Sequence, residues 1–231
     1  SLKTRYGGCF SKWVTSTDIG IKAPKTDDPF AGTIQDGGKL RPLTDLEQRW
    51  VMEAADQLGN PEMYILILFM ILTGARIQTA TTLRLRHVTL SKVVYSKPLG
   101  GNGQVYKLKI GPGTSIDTKN NKNMVLQVPR PLFETLCAYA FSTRSTNRRK
   151  RAVGGDSPNQ YLFLTQQGNP YYQAHDETLV FNPKLAVRHN KNGGTIRKFF
   201  ADSLIPYVSE RHAPLFLMRP HAMRTPLGKN Q

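Results

Sequence analysis

The sequence predicts an α+β protein, a mostly helical domain with a small antiparallel three-stranded sheet at one edge. Three observations carry that prediction. Apolar residues recur at helical spacing in stretches between Thr44 and Val208. Between them, "VTLSKVVYS", "QVYKLKIG" and "MVLQVP" are rich in β-branched and aromatic residues with rough alternation. Hydrophobic content is 39% over 231 residues, enough for one sizeable core.

Taken in order, residues 1–40 differ in character from the rest of the chain. "CFSKWVTSTDIG" reads as the end of a helix, with Phe10, Trp13 and Val14 on one side, and "KAPKTDDPFAGTIQDGGK" reads as a linker rich in Pro, Gly, Asp and Lys. We therefore expect residues 1–40 to be the tail of an upstream domain plus a linker, and residues 41–231 to form the main domain. Its first helix opens at "TDLEQRWVMEAADQL", where Thr44 and Glu47 stand in capping-box spacing and Leu46, Trp50, Val51 and Ala54 share a face. Pro61 starts a second helix running through "MYILILFMIL", which is too short to span a bilayer and reads as buried. Gly74 breaks it, and "ARIQTATTLRLRHV" is expected to hold a third helical segment ending near Arg86.

The three strand-like stretches come next. The polar turn "TKNNKN" separates the second from the third, which predicts an antiparallel hairpin with Lys119 and Lys122 at its mouth. "PLFETLCAYAFSTR" is an amphipathic helix with Pro131 in its first turn. "RSTNRRKRAVGGDSPN" reads as an exposed basic loop, and "YLFLTQQGNP" as an extended piece ending in a turn. "GTIRKFFADSLIPYV" closes the series as a helix burying Ile196, Phe199, Phe200 and Leu204.

Charge narrows the class of partner. Lys and Arg number 32 against 16 Asp and Glu, a formal net charge of +16 and an excess that favours a polyanion, nucleic acid first. Cys9 and Cys137 are the only cysteines, with no C-x-x-C, so neither a zinc site nor a disulfide framework is expected and the pattern suits a reducing, cytoplasmic compartment. No cofactor is implied.

Four basic residues stand out by context: Arg76 just past the glycine that ends a buried helix, Lys119 in the hairpin turn, and His221 and Arg224 three apart on one helical face. Two arginines, a lysine and a histidine without matching carboxylates describe a site for a phosphate. Guanidinium forks hold phosphate oxygens and stabilise charge growing in a five-coordinate transition state, and a lysine can protonate a leaving oxygen. A two-metal nuclease would instead need converging carboxylates, a pattern the sequence lacks.

The order "TGAR", hairpin lysine, H-x-x-R resembles the tyrosine site-specific recombinases of the phage-integrase family. "ILTGARIQTATTLRLRHV" is similar to that family's first arginine box, "IDTKNNKNMVLQVP" to its lysine hairpin, "YLFLTQQGNPY" to the strand-and-glycine segment after it, and "RPHAMR" to the start of its second box. The resemblance runs from about Arg41 to the end. It implies the family's catalytic fold, with Arg76, His221 and Arg224 holding the scissile phosphate and Lys119 as general acid for the 5′-oxygen, Lys122 being the rival. Arg148, Arg149, Lys150 and Arg151 are candidates for further phosphate contacts. The implied partner is double-stranded DNA in the nucleoid, with other protomers joining on DNA and a monomer expected without it.

The sequence departs from that family in three places. Thr79 stands where an acidic residue is usual, Pro226 follows Arg224 closely, and no tyrosine lies beyond Tyr207 to act as nucleophile. The expectation is therefore a recombinase fragment that ends before its tyrosine and binds DNA without cleaving it. A type IB topoisomerase, a telomere resolvase, or a non-catalytic DNA-binding module would share the same basic residues.

Overall fold

The computed structural model describes residues 42–89, 104–175, 192–218 and 220–223, together with the backbone of five two-residue strands. The chain divides into two compact units, Ser1–Gly32 and Thr33–Gln231. In the first, β1 (Leu2–Lys3) pairs antiparallel with β2 (Cys9–Phe10). Cys9 and Phe10 thus lie on a strand and not on the helix end expected there. Three nearby apolar residues fit either period, and pairing with residues 2–3 is a contact that local spacing does not register. The remainder of the expected helix tail, and most of the linker, lies outside the described residues.

The second unit begins with β3 (Ile34–Gln35) and β4 (Lys39–Leu40), an antiparallel pair. Helix α1 (Asp45–Gln57) starts on the predicted capping box: Thr44 N–H donates to Glu47 Oε2 at 2.8 Å and Glu47 N–H returns a bond to Thr44 Oγ1 at 3.3 Å. The core side of α1 is Val51, Ala54 and Ala55, with Trp50 half-buried, while Leu46 projects into solvent. Leu46 sits in the first turn, ahead of the point where the helix meets its neighbours.

Helix α2 (Pro61–Thr73) is apolar nearly all round and is covered on most sides. Asn60 caps it, its Oδ1 accepting from Met63 N–H at 3.2 Å. Gly74 ends it at φ 66, the left-handed conformation that a helix terminus favours and a Cβ penalises. Helix α3 (Ile77–Thr81) is shorter than expected. The chain leaves it at Thr82 and turns through a 3₁₀ segment, Leu85–His87. Tertiary pairing stops the helix: Arg84 bridges to Tyr161, and Leu162 N–H donates to Leu83 O at 2.8 Å.

The sheet has the order β5-β6-β7, all antiparallel, made of β5 (Tyr95–Ser96), β6 (Val105–Ile110) and β7 (Met124–Pro129). Along β6, Tyr106, Leu108 and Ile110 enter the core while Lys107 and Lys109 face out. Helix α4 (Arg130–Ala140) follows directly and buries Leu132, Phe133, Leu136 and Tyr139.

Residues expected as a basic loop form a helix instead, α5 (Thr143–Arg151). Ser142 caps it, its Oγ accepting from Ser145 N–H at 3.2 Å, and the side chains of Arg148 and Arg149 turn inward. Tyr161–Tyr171 is the extended piece and turn that the sequence suggests, closed by a bridge between Leu164 and Pro170. The last long helical stretch runs in three pieces: α6 (Gly194–Phe199), a π turn over Phe200–Leu204, and α7 (Ile205–Arg211). Pro206 has no N–H to give to the preceding turn, which accounts for the widened register before it. Among the described residues, no helix is long and apolar enough to cross a membrane.

Glu62, in the first turn of α2, is wholly buried. Its carboxylate accepts from Arg144 Nε at 2.8 Å, lies 3.1 Å from Arg148 Nη2, and accepts from the Tyr139 hydroxyl at 3.0 Å. One carboxylate therefore ties α2, α4 and α5 together. Burial, and then the nearby Glu62 charge, push the Tyr139 phenol well above its ordinary range, so it stays a donor. Replacing Glu62 with Gln removes the charge and leaves the buried Arg148 guanidinium uncompensated. We predict a loss of about 3 kcal/mol of unfolding free energy, read by urea denaturation of the variant beside the parent.

Candidate nucleic-acid interface

Arg76 is placed by the end of α2. After Gly74 the chain cannot continue the helix, and Ala75 is buried. Arg76 then sits at the N-cap of α3, its carbonyl accepting from Ala80 N–H at 2.9 Å. Its Nε is shielded from solvent and the residue as a whole is half-exposed. The backbone around it is thus fixed on both sides, and Gly193 closes in from α6: a Cβ there would meet Ile77 Cγ2 at 2.9 Å.

The hairpin carrying Lys119 is docked onto α3. Thr79 Oγ1 donates to the Asp117 carbonyl at 2.8 Å, and Asp117 N–H donates to Thr82 Oγ1 at 2.9 Å. Thr79 lies three residues past Arg76 and Asp117 two before Lys119, so this clasp sets the lysine turn beside the arginine's own helix. The Asp117 carboxylate meanwhile accepts from His175 N–H at 2.8 Å, which draws the 175 segment to the same place.

A second clasp holds the other half of the turn. Arg86 Nη2 donates to Thr114 O at 3.1 Å and Ser115 Oγ at 2.9 Å. His87 Nδ1 accepts from Arg84 N–H at 2.8 Å, and its Nε2 lies 2.9 Å from Thr114 O, which requires the proton on Nε2. Arg84 is buried, with its guanidinium carbon 3.5 Å from the centre of the Tyr161 ring. Gly111 makes the hairpin possible. It has φ 111, and a Cβ would fall 2.6 Å from the Lys122 carbonyl oxygen.

Lys119 opens a short 3₁₀ turn, Lys119–Asn121, in which Asn120 and Asn121 adopt positive φ, a conformation asparagine tolerates. Thr118 Oγ1 donates to Lys122 O at 2.7 Å and braces it. Both Lys119 and Lys122 are exposed.

His221 lies on the 3₁₀ turn Pro220–Met223, which is anchored by its neighbours. Ala222 and Met223 are buried in the core, Leu43 N–H donates to Ala222 O at 2.9 Å, and the turn packs on α2. Arg224 and Pro226 lie outside the described residues. The elements bearing Arg76 and His221 therefore share α2 as support, and the hairpin of Lys119 joins them through α3.

The remaining candidates divide. Arg148 is 8% exposed and Arg149 2%. Arg148 Nη1 donates to Leu164 O at 2.6 Å, while Arg149 Nε donates to Asp156 Oδ1 and its Nη1 to Ser145 Oγ, both at 2.6 Å. These two hold the fold together and cannot lie along phosphates as an exposed loop would. The basic run hid this because charge alone does not say which side of a helix meets a buried Glu62. Lys150 and Arg151 are exposed, with Arg151 Nη1 reaching Gln166 O at 3.2 Å. Tyr207 packs on the core from α7, beneath the Arg211 guanidinium at 4.6 Å.

Sequence reasoning missed Asp117, Thr82, Arg86 and His87, and treated Thr79 only as a missing acid. Their signal lay in partners 27 to 38 positions away, which no local pattern reveals. Among the described residues no three His, Cys, Asp or Glu side chains converge as a metal-binding group.

No protein-family model matches the chain, and no curated protein matches it. A solved structure described as the XerH site-specific recombinase bound to difH substrate, a pre-cleavage complex, aligns at 19% identity and a TM-score of 0.37. The alignment covers 78% of this chain and 47% of that one, so this chain spans about half its length. Likeness at that level assigns neither fold nor activity.

Two measurements probe the clasps. Burial holds the His87 imidazole down to about 4 from 6.5, and the charges of Arg86 and Arg84 work in the same direction, against the Thr114 carbonyl that favours protonation. Between those two values the unfolded chain binds a proton that the folded chain refuses, so stability falls as pH drops through that window. The His87 contribution to that loss is on the order of 3 kcal/mol, and a His87→Gln variant should show a flatter dependence of denaturation midpoint on pH from 6.5 to 4. Gly111→Ala should loosen the turn, seen as faster amide hydrogen exchange over residues 111–124 with α1 and α2 unchanged.

Proposed function

We propose that this chain grips a phosphate of double-stranded DNA as the phosphate-binding part of a tyrosine site-specific recombinase. The observation that carries the reading is the Asp117 clasp, which joins the lysine hairpin to the helix that begins at Arg76. A loose lysine could meet any anion. A lysine turn fastened at Thr79 and Thr82, and again at Arg86 and His87, is held in a fixed position relative to one arginine, as transition-state stabilisation requires.

In this reading Arg76 and Arg224 fork onto the non-bridging oxygens of the scissile phosphate, and His221 donates a further hydrogen bond. Lys119, or Lys122 from the same turn, gives its proton to the departing 5′-oxygen. Exposed Lys150 and Arg151 remain candidates for contacts outside the scissile phosphate. Arg148 and Arg149 are not part of the proposal. In the complete reaction a tyrosine oxygen bonds to phosphorus while the bond to the 5′-oxygen breaks, leaving a 3′-phosphotyrosine.

The open exposure of Lys119 and Lys122 also suits a second reading, a DNA-binding module in which the same groups only contact backbone. Vanadate separates the two without a tyrosine. A nicked duplex with free hydroxyls at the nick takes up orthovanadate as a five-coordinate mimic of phosphoryl transfer. A recombinase grip should bind that duplex at least about tenfold more tightly with vanadate than without, and Arg76→Ala should erase the gain. A backbone binder shows no gain, and its Arg76→Ala variant loses only modest affinity and about one unit of salt slope.

A further inference from the structure

The outward face of β6 is basic for a reason that its own strand pairing does not supply. Lys107 and Lys109 alternate with the buried Tyr106, Leu108 and Ile110, so both stand on the solvent face, about 7 Å apart along the strand. Neither is in an ion pair among the described residues. A solvated sheet face is commonly stabilised by opposite charges across the strands. On the β7 side Lys107 sits opposite Gln127 and Lys109 opposite Val125, so among the described residues no cross-strand carboxylate faces either lysine. Lysine is also a poor strand former, and this strand holds two at both of its central outward positions.

The same ribbon ends in Lys119 and Lys122, both exposed. Between Gln104 and Pro129 the sequence has four lysines and one acid, Asp117, whose carboxylate is already engaged by His175 N–H. The ribbon is thus a strip of positive charge running back from the turn. It is stiffened by six successive pairs between β6 and β7 and pinned at its tip by both clasps. Exposed Val125 stands directly beside Lys109 on this face, giving an apolar contact of the kind deoxyribose can cover.

We propose that the outward face of the β6–β7 ribbon is a second DNA contact, with Lys107 and Lys109 lying along the sugar-phosphate backbone beside the phosphate that the turn addresses. The inference rests on the reading of the chain as a duplex-DNA binder and extends it to residues outside the phosphate grip. It makes the hairpin a rail as well as a finger: the turn meets one phosphate, and the ribbon behind it sets the direction in which the duplex leaves.

The test is a salt titration of duplex binding by fluorescence anisotropy, using the full chain and an intact 25-base-pair duplex of arbitrary sequence. Two lost phosphate contacts should lower the slope of log affinity against log salt by about 1.8 in Lys107→Gln/Lys109→Gln. Lys107→Arg/Lys109→Arg keeps the charges and should keep the parent slope, which separates charge from any disturbance of the sheet. If the parent binds and the glutamine pair leaves the slope unchanged, the ribbon contact is wrong and the phosphate grip stands untouched. If the arginine pair loses as much slope as the glutamine pair, the effect is not electrostatic and the proposal also falls. A parent that fails to bind duplex overturns this inference together with the function it extends. Binding with the predicted slopes but no vanadate effect leaves the ribbon standing and removes the recombinase reading alone.

Discussion

A helix apolar on nearly every side has to be surrounded, and in this protein that helix is α2. It has nine buried positions out of thirteen, and one of them is the carboxylate of Glu62. A lone buried carboxylate would be prohibitively costly, so the surrounding elements must bring partners to it. Arg144, Arg148 and Tyr139 do so from α5 and α4. Once that end of α2 is locked, its other end is also determined, and Gly74 releases the chain at a defined point with Arg76 two residues on. The turn that bears His221 packs on the same helix.

The hairpin needs a separate solution. Its long turn, from Gly111 to Asn123, has little apolar surface of its own to bury, and a turn of that length would ordinarily wander. Hydrogen bonds take the place of burial. Asp117 is held through both backbone polar groups and its carboxylate, and Thr114 is held by Arg86 and neutral His87. Thr79 stands where an acid was expected, and its hydroxyl fastens the hairpin directly by donating to the Asp117 carbonyl.

Much of this architecture is visible in the order of residues. The capping box at Thr44 and Glu47, the proline start and glycine end of α2, the hairpin around "TKNNKN" and the buried stripe of the last helical stretch all depend on contacts within a few positions. The errors fall where distant partners intervene. α3 stops early because Leu83 and Arg84 pair with the segment at Tyr161 and Leu162. The basic run at 144–151 is fixed as a helix against Glu62, some eighty positions earlier, which draws Arg148 inward and pairs with the exposed Arg144. Cys9 and Phe10 join a strand through residues 2–3.

The sequence alone determined the periodicities, caps and turns, a strongly basic balance, and the order of the basic residues along the chain. These follow from local backbone preferences and from composition, which need no partner to operate. Only the tertiary structure decided which cations face solvent. Arg148 and Arg149 are engaged by internal carboxylates and carbonyls, while Lys107 and Lys109 are displayed on one face of β6. Electrostatics depends on distance through space and on burial, and neither quantity is written along the chain.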